Sequence, residues 1–128
     1  MTESPCILII DDHPDVVEIL KQYFEAAGCE VLTGGSGAEG LELARTNQVH
    51  AILMDICMPD MNGDDVLAQV KCILPNVPVI MMSGAQQECT ARRCLDLGAT
   101  DFVLKPFDYN YLETSVLTSI MCNTVIRN

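Results

Sequence analysis

The sequence predicts an α/β domain in which a parallel β-sheet carries helices on both faces. Five short apolar runs alternate with five segments of helical apolar spacing, and this alternation is typical of parallel sheets. The length of 128 residues suits one domain, and 49% hydrophobic residues are enough to form its core. Aromatic residues make up only 5% of the chain, so aliphatic side chains, cysteine and methionine must fill that core.

The five predicted strands are apolar runs that end at a polar residue or at a turn. The first, CILII, is apolar throughout, as expected for a parallel strand buried on both faces, and residues 12–14 end it. A Gly-Gly-Ser-Gly turn at residues 34–37 follows the second strand, and Pro75 and Pro78 enclose the turn before the fourth. The predicted strands are residues 6–11, 29–32, 49–55, 79–83 and 101–105.

The five predicted helices follow from apolar spacing and from residues that favour helix ends. Pro14 suits the first turn of the first helix, Asp15 and Glu18 suit its positive end, and Gly28 stops it. Asp108 is a plausible N-cap for the last helix. The predicted helices are residues 14–27, 38–46, 63–73, 88–97 and 109–121.

The chain shows no internal repeat, no low-complexity segment and no domain boundary. We therefore expect one domain over residues 1–128, with a core of about residues 6–121. Residues 122–128 are too few for a second domain, and we expect them to form a tail or the start of a linker.

The charge distribution argues against nucleic-acid and membrane partners. The net charge is −11, from 7 basic and 18 acidic residues, and among the basic residues only Arg92 and Arg93 are adjacent. A nucleic-acid footprint needs clustered lysine and arginine, and an acidic surface repels anionic lipid. No apolar stretch reaches the roughly 18 residues that a membrane span needs. We expect no direct nucleic-acid binding and no membrane association.

The seven cysteines are best interpreted as small hydrophobic residues in a reducing cytoplasm. Their number is odd, no CxxC pair is present, and the N-terminal MTESPC lacks the features of a signal peptide. Burial in strands or helices is expected for four of them, Cys6, Cys29, Cys72 and Cys94.

Polar side chains stand where four of the predicted strands end: Asp11, Asp12, Asp55, Ser83 and Lys105. Taken singly, most of them have a common structural role at a turn or strand end. Asp55 is harder to explain in that way, because it directly follows the apolar run AILM. Ligands bind at the carboxyl edge of an open parallel sheet, so these residues are expected to converge there. Two carboxylates about 4 Å apart repel by roughly 4 kcal/mol at an effective dielectric near 20. A cation among them, or protonation, is therefore required, and a few carboxylates with room for waters and a phosphate suit Mg²⁺.

The same residues carry a family resemblance. The acidic pair Asp11-Asp12, the segment DICMPDMNG at residues 55–63, Ser83 with a small residue after it, and the KPF of residues 105–107 occur in a characteristic order and spacing. Over about residues 6–121 the chain resembles the receiver domain of two-component response regulators. The resemblance implies a flavodoxin-like, doubly wound (βα)5 fold with a five-stranded parallel sheet of order 2-1-3-4-5.

The resemblance also implies roles for individual residues. Asp55 would be the phosphoacceptor, and Lys105 and Ser83 would bind phosphoryl oxygens, which suits a carboxylate nucleophile and electrostatic catalysis. Gly84 would offer its backbone N–H to the phosphoryl group. The implied ligands of Mg²⁺ (or Mn²⁺) are Asp11, Asp12, Asp55 and the backbone carbonyl of Cys57.

In such domains phosphorylation draws the serine hydroxyl inward and an aromatic side chain moves into the space it leaves, so Ser83 and Phe102 are the expected switch pair. A Phe102 that stays in the core and never moves is an equal alternative.

The expected donor is a histidine kinase or phosphotransfer protein. Output is expected at the face of the fourth helix, fifth strand and fifth helix. The sequence leaves open whether the protein ends here or continues into a C-terminal effector domain. The domain would catalyse only its own phosphorylation and dephosphorylation.

Two local features refine this expectation. Cys57 and Ala85 stand where relatives often carry polar residues beside the path of attacking water, so we expect slow loss of the phosphoryl group. The predicted fifth helix has one acid, Glu113, and no base. It therefore lacks the alternating charges through which relatives dimerise, and we expect a monomer or weak dimer.

Three other interpretations remain open from the sequence. A degenerate receiver would act as a phosphorylation-independent docking module, although its acidic pair, Asp55, Ser83 and Lys105 are intact. A flavodoxin would need a neutral or cationic loop after the first strand, and here that loop is acidic. A phosphatase of the haloacid dehalogenase type would need an Asp-x-Asp pattern, and position 13 is His.

Overall fold

The computed structural model describes residues 4–84 and 88–127. Strands and helices alternate five times along the chain. Their bounds are β1 Cys6–Ile10, α1 Pro14–Ala26, β2 Glu30–Gly34, α2 Gly37–Thr46, β3 Ala51–Asp55, α3 Gly63–Ile73, β4 Val79–Ser83, α4 Glu88–Asp96, β5 Asp101–Leu104 and α5 Tyr109–Arg127.

The strands form one parallel sheet of order β2-β1-β3-β4-β5, which confirms the expected topology. The three inner strands, β1, β3 and β4, are buried at every position. They therefore appear in the sequence as continuous apolar runs instead of alternating patterns. The outer strands β2 and β5 are partly exposed.

The core has two layers, one on each face of the sheet. One layer, between the sheet and helices α1 and α5, contains Leu20, Phe24 and Val116. The other, between the sheet and helices α2, α3 and α4, contains Leu41 and Val66. Successive strand residues point to opposite faces, so each inner strand supplies both layers. This confirms a doubly wound domain.

Most predicted element ends lie within two residues of the observed ones, and α5 is the exception. The sequence predicts its end at residue 121, whereas the helix continues to Arg127. The expectation that residues 122–128 form a tail or the start of a linker stays a prediction, but the predicted end of α5 is wrong. The cause is that no glycine or proline follows residue 121 to stop the helix.

The expected burial of cysteines holds for three of the four named. Cys6, Cys29 and Cys94 are buried, but Cys72 is exposed. The buried stripe of α3 includes Val66 and Val70, and a residue two positions further along a helix lies on roughly the opposite side. No disulfide joins the six cysteines whose side chains the structure describes.

Candidate functional site

The sheet register brings the strand ends together. Ile10 pairs with Met54, so Asp11, which follows Ile10, lies beside Asp55. Asp55 pairs with Met82, the residue before Ser83, and Ser83 in turn pairs with Leu104, the residue before Lys105. The sequence-predicted residues of four strands thus meet at the carboxyl edge of the sheet, where open α/β sheets bind ligands.

The acidic residues form a buried cluster. The side chains of Asp11 and Asp55 are 0% and 3% exposed, and that of Asp12 is 31% exposed. One oxygen of each, Oδ2 of Asp11, Oδ1 of Asp12 and Oδ2 of Asp55, is buried with no hydrogen-bond donor among the described residues. Unsatisfied buried carboxylate oxygens are costly. A divalent cation of the Mg²⁺ type, which takes oxygen ligands, fits this donor set.

The environment of Asp55 opposes its charge. Burial raises the pKa of the Asp55 carboxyl, and the neighbouring charge of Asp11 raises it further. The ammonium of Lys105 acts in the opposite direction, as does a hydrogen bond of 3.3 Å from the backbone N–H of Cys57 to Asp55 Oδ1. Positive charge placed at the cluster would therefore favour the ionised, nucleophilic carboxylate.

Lys105 is the cation that the chain itself supplies to the cluster. Its Nζ lies 3.5 Å from Asp11 Oδ2 and 3.5 Å from Asp55 Oδ2. The side chain is 26% exposed, so its ammonium is reachable from solvent. The Lys105–Pro106 peptide bond is cis.

Ser83 lies at the end of β4 and is fully buried. Its Oγ has no hydrogen-bond partner within the part of the chain that the structure describes. Phe102 of β5 is partly buried and packs against the core layer of α2, α3 and α4. Gly84 directly follows Ser83, and Ala85 lies outside the described residues.

Backbone hydrogen bonds hold the loop between β3 and α3 in a closed conformation next to Asp55. The Gly63 N–H donates to the Ile56 carbonyl over 2.7 Å, and Cys57 and Asn62 form an isolated antiparallel bridge. A Cβ at position 63 would lie 2.5 Å from the Ile56 carbonyl oxygen, so only glycine permits this closure. The tight loop fixes the backbone of Cys57, whose side chain is exposed.

Asp60 is a positioning residue that the sequence analysis missed. Its carboxylate accepts hydrogen bonds from the backbone N–H groups of Gly37, at 2.9 Å, and Ala38, at 3.0 Å. These hydrogen bonds hold the pKa of Asp60 below its usual value. The contact ties the β3–α3 loop to the first turn of α2. No local sequence pattern predicts this contact, because the hydrogen-bond partners of Asp60 are 22 and 23 residues away in sequence.

His13 is the second residue that the sequence analysis missed. Its Nδ1 lies 2.9 Å from Asp11 Oδ1, 3.2 Å from Asp12 Oδ1 and 3.6 Å from Asp55 Oδ2. A hydrogen bond to Asp11 raises the pKa of the imidazole. Its position immediately after the acidic pair Asp11-Asp12 was the sequence feature that could have placed it at the site.

The fold and the site together define a class: a doubly wound α/β domain with an acidic, lysine-containing site at the carboxyl edge of its sheet. The family model for the response regulator receiver domain matches residues 7–117. The chain belongs to this family, and it is a receiver domain of phosphorylation-based two-component signalling.

Individual relatives agree with this assignment. The response regulator SaeR of Staphylococcus aureus (strain USA300) is 39% identical over 101 residues, which are 79% of this chain and 44% of SaeR. The chain thus spans less than half the length of that relative. A receiver domain from Clostridium thermocellum superposes with a TM-score of 0.90 at 29% identity, covering 95% of this chain and 98% of that one. A CheY-like receiver from Methanospirillum hungatei JF-1 gives 0.91 at 26% identity, with the same coverage.

No helix among residues 4–84 and 88–127 combines the length and the apolar character required to cross a bilayer.

Proposed function

We propose that Asp55 accepts a phosphoryl group from the phosphohistidine of a histidine kinase or phosphotransfer protein, in a reaction that needs Mg²⁺ or Mn²⁺. One observation carries the proposal: Asp55 Oδ2 is buried, has no hydrogen-bond donor within the described residues, and lies 3.5 Å from the Lys105 ammonium. A nucleophilic carboxylate beside a fixed cation is what formation of an aspartyl phosphate requires.

The reaction would be a direct transfer. An Asp55 carboxylate oxygen forms a bond to phosphorus as the bond from phosphorus to the donor's imidazole nitrogen breaks, and that nitrogen keeps the electron pair. Lys105 pairs with one phosphoryl oxygen, and the buried Ser83 hydroxyl and the Gly84 backbone N–H bind the others. Catalysis then consists mainly of positioning and charge stabilisation.

The acidic cluster would hold the cation through Asp11, Asp12, Asp55 and the backbone carbonyl of Cys57. When bound, the cation neutralises charge on the phosphoryl oxygens. The support for this set is the three carboxylate oxygens that are buried without donors in the described chain. The pinned β3–α3 loop supports the fourth ligand, because it leaves the Cys57 backbone little freedom.

Phosphorylation would switch the face formed by α4, β5 and α5. The Ser83 hydroxyl moves toward the phosphoryl group, and Phe102, which is half-buried, turns into the space left behind. Phe102 needs no hydrogen-bond partner when it becomes buried. A shift from 1:99 to 99:1 requires about 5.5 kcal/mol, so we expect a partial shift unless a partner binds the switched face.

We propose a monomer or weak dimer. Asp101 of β5 is an acid on the output face, and its Oδ2 accepts hydrogen bonds from Tyr111, at 2.6 Å, and from Ser115, at 3.0 Å. Because side chains of α5 already donate hydrogen bonds to this carboxylate, it is poorly placed to form an ion pair with a basic residue of a second copy. A dimer that forms on phosphorylation, seen by light scattering, would contradict this.

Residues 1–128 would act as one receiver domain in a cytoplasmic protein that is longer than this chain and carries an effector domain. The length of SaeR, of which the match covers 44%, supports the longer protein, and the free cysteines suit a reducing compartment. The domain would catalyse only its own phosphorylation and dephosphorylation.

The test is intact-protein mass spectrometry after incubation with acetyl phosphate, with and without Mg²⁺. Wild type should gain one phosphoryl group, about 80 Da for the aspartyl phosphate, only when Mg²⁺ is present. Asp55→Asn should gain none. Asp65→Asn is the matched control, since Asp65 is an exposed carboxylate of α3 and its replacement leaves the acidic cluster intact.

No gain in wild type would contradict the proposal and favour the degenerate docking module. A gain that persists in Asp55→Asn would place the acceptor at another residue.

A further inference from the structure

His13 belongs, with the three carboxylates, to a group of side chains that could hold a metal ion. One atom each from Asp11, Asp12, His13 and Asp55 lies within 4.8 Å of all the others. The distances from His13 Nδ1 to the three carboxylates are 2.9, 3.2 and 3.6 Å. Ligands bound at about 2.1 Å to an octahedral cation are roughly 3.0 Å from their nearest neighbours. The nitrogen thus lies at ligand-to-ligand spacing from the carboxylates, and the shortest of the three contacts is a hydrogen bond to Asp11 Oδ1 that a bound cation would replace.

Two of the buried oxygens that accept no hydrogen bond within the described chain, Asp12 Oδ1 and Asp55 Oδ2, lie 3.2 and 3.6 Å from His13 Nδ1. Asp55 Oδ2 and the Oδ2 atom of the buried Asp11 also lie 3.5 Å from Lys105 Nζ. His13 is 59% exposed and stands on the solvent side of the cluster. When a cation is bound, His13 would take a place that a water molecule would fill around an all-oxygen Mg²⁺ site.

We propose that His13 Nδ1 is a direct ligand of the divalent cation, and that this nitrogen shifts the site's preference from Mg²⁺ toward Mn²⁺ and Co²⁺. The inference rests on the proposed function, because it requires the acidic cluster to bind a divalent cation. It goes beyond a site built only from carboxylates and a backbone carbonyl.

The change in preference follows from ligand chemistry. Mg²⁺ favours oxygen and keeps its waters, whereas imidazole suits later divalent metals, whose affinity rises from Mn²⁺ through Co²⁺ to Ni²⁺. Removing the imidazole should thus weaken Co²⁺ binding by at least about 10- to 100-fold, the loss that is typical when a group that only supports a direct ligand is removed. Mg²⁺ binding should fall by about threefold or less.

The test uses the protein without a histidine tag and two readouts. Pulsed EPR of bound Mn²⁺ detects a directly coordinated nitrogen by its magnetic coupling, and competition titrations give the Co²⁺ and Mg²⁺ affinities. The variants are His13→Phe, which removes the donor, and His13→Asn, which offers an oxygen near the same place. His50→Asn is the matched control: His50 is the chain's only other histidine, and it accepts a hydrogen bond from Cys6 at the opposite end of β1.

The expected result is a nitrogen signal in wild type and His50→Asn that is absent from both His13 variants, with the Co²⁺ to Mg²⁺ preference reduced in parallel. Absence of the signal from wild type, or its survival in His13→Phe, would overturn the inference and leave the proposed function intact. A wild-type protein that binds neither Mn²⁺ nor Mg²⁺ would overturn both.

Discussion

Cys57 stands two residues after Asp55, and its side chain is exposed. A thiol orients water poorly, whereas an amide or carboxylate at this position would hold a water near the phosphorus. Cys57→Asn should therefore speed loss of the phosphoryl group by about tenfold, less than the 100-fold or more that a true general base gives. The measurement is the decay of the phosphorylated mass after removal of acetyl phosphate.

Cys72→Asn is the control for this prediction, because Cys72 is also exposed but lies on α3. An unchanged lifetime in Cys57→Asn, or a wild-type half-life of seconds, would contradict the role given to Cys57.

Asp60 makes stability depend on pH in a defined direction. Its folded-state pKa is lowered by the hydrogen bonds from Gly37 and Ala38, so its contribution is present above the unfolded value of about 3.9. That contribution is lost as the pH falls through the folded-state pKa. Asp60→Asn should therefore lower the urea midpoint more at pH 7 than near pH 3, where part of that contribution is already lost.

Glu42→Gln provides a control, since Glu42 is an exposed carboxylate paired with Arg45 on the same helix. Equal effects of Asp60→Asn at both pH values would mean that the charge of Asp60 contributes nothing.

At the level of single residues, the sequence predicted the side chains that follow strands and missed those whose role depends on folding. Asp11, Asp55, Ser83 and Lys105 were predictable because strand ends in a parallel sheet share one edge. Asp60 was not, since its partners are remote in sequence.

Among the elements, the loop between β3 and α3 depends most on one backbone position. In Gly63→Ala the added Cβ would overlap the Ile56 carbonyl oxygen, so the loop must open. We expect a loss of about 1–3 kcal/mol in the free energy of unfolding, as for other overpacked sites. Mg²⁺ affinity should fall as well, because the Cys57 backbone moves with the loop.

Chemical denaturation and Mg²⁺ titration measure the two effects. The matched control is Gly35→Ala, whose Cβ would meet only Glu39 Oε1 at 3.7 Å. A Gly63→Ala protein with wild-type stability and Mg²⁺ affinity would show that the closure of the loop is unimportant.

The elements differ in how well the sequence predicts them. Strand β4 and helix α3 have the predicted bounds. Turn residues lie on both sides of β4, and an Asn-Gly pair marks the start of α3. Strand β2 extends to Gly34, since pairing with Ile10 of β1 overrides the low strand propensity of glycine. The end of α5 was missed because the sequence there contains no stop signal.

For the whole molecule, cation binding should raise thermal stability. Without a cation the three carboxylates repel one another, and a ligand that binds only the folded state stabilises it. At ten times its dissociation constant, Mg²⁺ should add about 1.4 kcal/mol, which corresponds to roughly 5 °C in Tm for a domain of this size. Differential scanning fluorimetry measures the shift.

Asp12→Asn should reduce this gain in Tm, whereas Asp15→Asn, which changes an exposed carboxylate of α1, should leave it unchanged. An equal gain in wild type and Asp12→Asn would remove Asp12 from the set of ligands.

The hydrogen bonds of Asp60 connect the loop after Asp55 to the first turn of α2. The face of α4, β5 and α5 adjoins one edge of the sheet, while α2 lies toward the β2 edge. Any displacement of the loop after Asp55 must alter the hydrogen bonds of the Gly37 and Ala38 amides. The NMR signals of these two amides therefore report on the side of the molecule away from the output face. The time at which they change after phosphorylation would show whether that side or the output face responds first.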